Sequence, residues 1–120
     1  MVMTNAGLNA IRNMMGAVSE TAPTHLEVGS YSYTPAYSDT TITGSYFRKA
    51  FTGNEVTSDK INSYECLIAI NEANNTTMYA AGILNASQSG TLYGEDTFVS
   101  IAKTGSMEIQ FDVNIGYSDI

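Results

Sequence analysis

The chain holds one histidine, His25, and one cysteine, Cys66. They are the one pair that could form a thiolate–imidazole nucleophile. A multi-histidine metal site and an internal disulfide are both excluded by the counts. Cys66 sits in the apolar run Tyr64–Ile70, where a thiol packs as a small, inert hydrophobic group. His25 alternates with Leu26, which turns it toward solvent or a subunit boundary. Carboxylates are plentiful, at 12, but hydrolytic chemistry needs two held at a set separation across a cleft. Glu95 and Asp96 are adjacent, so in a strand they would point to opposite faces. A polar turn accounts for them better, with a calcium ligand pair as the alternative. There is no Asp-x-Asp-x-Asp-Gly loop for calcium, and no strand–glycine loop–helix context around Gly105 to cradle phosphate. The expectation is no catalytic residue, no metal site and no cofactor.

Residues suited to contact rather than catalysis are easier to find. Tyr31, Tyr33, Tyr37 and Tyr46, four of the eight tyrosines, fall in the hydroxyl-rich stretch 30–46. Tyrosine offers a flat apolar surface and a hydroxyl at small entropic cost, which suits subunit contacts, ordinary packing and sugar stacking alike. Arg48 and Lys49 could pair with acids on a neighbour or stay solvated.

Composition narrows the partners. Charged residues make up only 14% and the net charge is -7. An acidic chain repels phosphate, and Arg12, Arg48, Lys49, Lys60 and Lys103 form no stripe, so neither nucleic acid nor an anionic membrane surface is expected. No basic leader with an apolar core opens the sequence, and no run reaches the roughly 18 apolar residues of a membrane span.

The elements that must position these residues follow from periodicity. Residues 4–15 read as a helix, capped by Thr4 or Asn5 and stopped at Gly16, with Leu8, Ile11, Met14 and Met15 as its apolar stripe. So short a helix must dock that stripe, on its own sheet or on a neighbouring subunit. Strands are expected at 25–29, 46–51, 60–71 and 77–84. Residues 91–94 and 97–102 form two short strands or one bent strand. Residues 30–46 form a long surface loop, and 52–55 and 72–75 form turns. Small residues at Ala80, Ala81 and Gly82 invite close approach by a backbone or a large side chain. Lys103–Ser106 reads as a hairpin turn. Beyond it Met107, Ile109, Phe111, Val113 and Ile115 alternate with polar residues, giving a strand with one wet face. Six or seven strands after one helix predict a mainly β fold: a single domain over 1–120, an antiparallel β-sandwich with an N-terminal helix.

The order of "TNAGLNAIRNMM", "APTHLEVG", "TPAYSDTTITG", "FRKAF", "NEANNTTMYAAGILN", "SGTLYGEDTF" and "SIAKTGSMEIQFDVNI" resembles a family of small structural proteins of tailed phages, tail-fibre or baseplate-associated modules. The resemblance runs from Thr4 to Ile115. It implies a virion protein made in the host cytoplasm. Its partners would be other virion proteins and further copies of itself, in a tail, baseplate, neck or fibre-attachment position. Members of such families can carry a receptor-binding region beyond this module. Here only Gly116–Ile120 follow, so the expectation is an adaptor, collar, trunk or decoration subunit rather than an adhesin. The alternatives are a carbohydrate-binding host-attachment module and a capsid decoration protein. On the protein-contact reading, the interface would draw on Leu8, Ile11, Met14, Met15, Tyr31, Tyr33, Tyr37, Tyr46 and Arg48.

Overall fold

A computed structural model describes residues 1–58 and 61–116, with the backbone alone at 55–58. The helix forms where the sequence places it. The Thr4 hydroxyl accepts the Gly7 N–H, and α1 (Asn5–Met15) ends at Gly16, whose N–H bonds to the Arg12 carbonyl. The face it buries is different from the expected one. Gly7 and Ala10 are buried, whereas Leu8, Met14 and Met15 are exposed and Ile11 is half-buried. Small residues win because the helix lies almost on a strand backbone. A Cβ added to Gly7 would sit 2.4 Å from the Tyr93 carbonyl oxygen. Thr4 fastens the same place, its N–H bonding to Tyr93 O at 3.0 Å and its hydroxyl to Leu92 O.

The described residues form two antiparallel sheets packed as a sandwich. One has the order β1 (Val2–Met3), β7 (Leu92–Lys103), β6 (Thr76–Leu84), β2 (His25–Gly29), β3 (Ser45–Ala50). The other has β4 (Gly53–Ser58), β5 (Ile61–Ile68), β8 (Ile109–Gly116). Between them Leu26, Val28, Cys66, Ile68 and Met78 make the central core. Ala10, Tyr64, Ile83, Tyr93 and Ile115 continue that core beneath the helix.

Several expectations change here. Residues 52–55 are not a turn: the chain switches sheets across Phe51 and Thr52 and enters β4 at Gly53, where a side chain would crowd the Glu65 carboxylate. Lys103–Ser106 is not a hairpin turn, because β8 pairs with β5 in the opposite sheet and not with β7. The Lys103 ammonium anchors that crossover, donating to Asn74 Oδ1 at 2.7 Å and to the Thr104 carbonyl at 3.0 Å. Leu92–Lys103 is one strand, bulged against β6. The expected strand over 60–71 is β5, which ends at Ile68 and gives way to a turn; Lys60 lies outside the described residues. The alternation in β8 is as expected, with Gln110, Asp112 and Asn114 exposed and Ile115 buried.

Residues 30–44 lie across the outer face of the five-stranded sheet. Ile42 is buried there with Ala80, Leu84 and Leu92. It fills the space over Gly82, where a Cβ would meet Ile42 Cδ1 at 2.6 Å. The small residues of β6 therefore admit this loop, as their size suggested.

The helix seat gives a direct test. Gly7→Ala improves helix propensity by about 1 kcal/mol, but its methyl meets an immobile carbonyl. Overpacking of this kind costs about 1–3 kcal/mol, so urea unfolding is expected to show a net loss, with the exposed Asn9→Ala near neutral. A gain at Gly7 would mean the helix is not seated on β7.

Candidate functional site

Antiparallel register places Val2, Glu95, Gly82, Glu27 and Arg48 in one row across the outer face of the larger sheet. Two acids thus flank a glycine. Glu27 is buried and its charge is met: Arg48 Nε lies 2.5 Å from Glu27 Oε2, and Arg48 Nη1 reaches the Ala86 and Ser89 carbonyls at 2.9 Å. Arg48, expected to pair with acids on a neighbour or to stay solvated, has an intrachain cross-strand partner in Glu27. Lys49 is engaged likewise, 2.6 Å from Glu72.

Among the described residues Glu95 has no such cation. It is fully buried, and no hydrogen bond closes on either carboxyl oxygen. Tyr33 and Asp39 face it from the overlying loop. Burial pushes its pKa up to about 7; the nearby Asp39 carboxylate pushes the same way and the Tyr33 hydroxyl opposes. The Tyr33 phenol is itself raised, by burial first and then by Glu95. The Met1 ammonium goes to Asp96 on the other face of β7, at 3.5 Å. The polar turn expected at Glu95–Asp96 is therefore a strand, and its two carboxylates cannot share a calcium ion. Chemically, Glu95 is a carboxyl held neutral under a loop, ionising near pH 7 and coupled to how tightly residues 30–44 sit.

The remaining expected residues separate into two groups. Tyr31 and Tyr37 stand out from the loop at 62% and 68% exposure. Tyr31 lies against Gly44, where a Cβ would meet its ring and φ is +70°. Because β2 ends at Gly29, Tyr31 and Tyr33 do not share a strand face. Tyr46 is half-buried with its hydroxyl enclosed, and burial raises its pKa. Across the molecule, Ile11, Met14 and Met15 line an apolar groove of about 390 Å³ with Tyr64, Tyr93 and Ile115. Cys66 is fully buried, its thiol raised by burial, 3.8 Å from the Ala50 carbonyl. That environment makes it a packing group. His25 bonds to the Thr24 hydroxyl at 2.7 Å.

Glu95 escapes a reading of sequence because acids count as surface residues. Its cross-strand neighbour Gly82 gives no signal either, since the space there is taken by Ile42. No protein-family model, curated protein or solved structure matches this chain.

The Glu95 geometry fixes the sign of a pH effect. Between about pH 4.5 and 7 the folded chain retains a proton that the unfolded chain has lost. Stability from this group therefore falls as pH rises through that window and levels off above it. Glu95→Gln is expected to flatten this slope and to raise stability at pH 8 by about 1–3 kcal/mol, read from denaturant midpoints across pH. An unchanged slope would contradict the assignment.

Proposed function

We propose that this chain is a structural assembly protein of a tailed virus, repeated in the virion and acting through protein–protein contacts. The resemblance to small tailed-phage structural modules supplies the viral setting. The observation that carries the contact role is the helix. Gly7 and Ala10 do most of its docking, with half-buried Ile11 packed beside them, which leaves Leu8, Met14 and Met15 exposed, Met15 at 86%. Leu8, Ile11 and Met15 follow a spacing of three and four, so they make one ridge. That ridge borders the apolar groove, and an apolar ridge beside an apolar groove is how interface cores are built. A tail, baseplate, neck or fibre-attachment position suits such a subunit, and a capsid decoration role uses the same contacts.

A second reading rests on the loop. Tyr31 and Tyr37, both well exposed, offer stacking faces for sugar rings, as a host-attachment module would. A glycan array silent at millimolar ligand would remove it.

The assembly reading predicts that Met15→Glu leaves the unfolding midpoint within about 0.5 kcal/mol of the parent. The same change is expected to abolish self-association or binding to other virion proteins, measured by sedimentation and by co-assembly. A parent chain that stays monomeric at high concentration and binds no virion protein would overturn it.

A further inference from the structure

The smaller sheet has three strands and the larger has five. β8 is the last strand of the smaller sheet, and its far rim faces no strand among the described residues. A strip of the larger sheet extends past it, uncovered. There a cleft of about 290 Å³ opens between Phe98 on β7 and Phe111 and Val113 on β8, with Met1 at its edge. Phe111 and Val113 belong to the core yet remain half-buried, with the Phe98 ring beside Phe111 at a centroid distance of 5.9 Å.

Charge at this rim has one sign. On the outer face of the smaller sheet Glu65 lies directly opposite Asp112, and the strand on the other side of Glu65 presents Gly53. Like charges directly opposite each other destabilise a sheet. No lysine or arginine among the described residues forms an ion pair with either. Asp112 accepts only a neutral amide, from Gln110 at 2.9 Å. Asp96, exposed at the cleft, has the Met1 ammonium 3.5 Å away. The Met1 side chain thus places an apolar group at the edge of the cleft.

We infer that the β8 rim takes an extended segment of another protein as a fourth strand, with apolar residues at alternate positions directed into the Phe98–Phe111 cleft and a lysine or arginine opposite Asp112. Main-chain hydrogen bonds supply the pairing, the cleft and the acid supply the selection. This rests on the assembly reading above and names the partner chemistry for a second surface of the same molecule.

The test is fluorescence anisotropy of the full chain with a labelled nine-residue peptide of alternating valine and lysine. Saturable binding is expected, at least about tenfold weaker for the valine–glutamate version. Methylating alternate backbone nitrogens of the peptide, which keeps its charge and removes donors, is expected to cost about tenfold. Asp112→Asn is expected to weaken binding about two- to fivefold, since one cross-strand ion pair is lost. Equal binding of the methylated peptide, or indifference to Asp112→Asn, would overturn the inference. So would a chain that is already dimeric through this rim and is made monomeric by Asp112→Lys, since the occupant would then be a second copy. If the peptide fails to bind while association through Met15 persists, the rim assignment falls alone; if neither occurs, the assembly reading falls with it.

Discussion

Packing a five-stranded sheet against a three-stranded one leaves surface that the chain's own strands do not cover. The inward residues of both sheets must meet to exclude water, but the wider sheet extends past its partner. One end of the overhang is closed by α1, which can lie flat there only because Gly7 removes every atom beyond Cα. The outer face of the wide sheet is closed by residues 30–44, with Ile42 pressed over Gly82. Beside β8, Met1 is the residue at the edge of the strip among the described residues. Width mismatch thus decides where this molecule is finished and where it is open.

The same constraint sorts the charges. Inside the covered regions each buried ionic group has its own solution. Glu27 takes Arg48 as a partner, Lys103 is wrapped by neutral acceptors, and Glu95 has its pKa pushed up by burial to about 7. These solutions suit a region whose dielectric is low and where an unmatched charge is costly. At the open rim Glu65 and Asp112 stand side by side, with no cation paired to either among the described residues, which is tolerable because water reaches both. Bringing another strand to that rim converts the tolerated pair into a binding determinant.

How much of this was legible in the sequence depended on whether the signal was local. The β8 alternation and the helix limits at Thr4 and Gly16 were read correctly, because each depends on neighbours a few residues away. The sandwich class followed from the number of such segments. Which helix face docks on its own sheet is not legible, because an apolar stripe is the usual docking surface and here close backbone approach matters more than apolar area. β4 was hidden by Thr52-Gly53-Asn54, a sequence that turns as readily as it extends. The separation of β7 from β8 could not be read at all, since pairing with β5 is decided by contacts some 50 residues apart in the chain. Glu95 and Lys103 were missed for a related reason: what makes a buried charge tolerable is supplied by distant residues, Tyr33 and Asp39 in one case and Asn74 in the other.

The claim on which the account turns is that β8 is satisfied on one side only. Along an antiparallel edge strand, successive amides point alternately toward the neighbour and away from it. Residue-by-residue amide hydrogen exchange across Ile109–Gly116, in the dilute isolated chain, measures this directly. The account predicts alternation, with amides facing β5 exchanging slowly and those on the far rim exchanging fast. Uniformly slow exchange along the whole strand would contradict it.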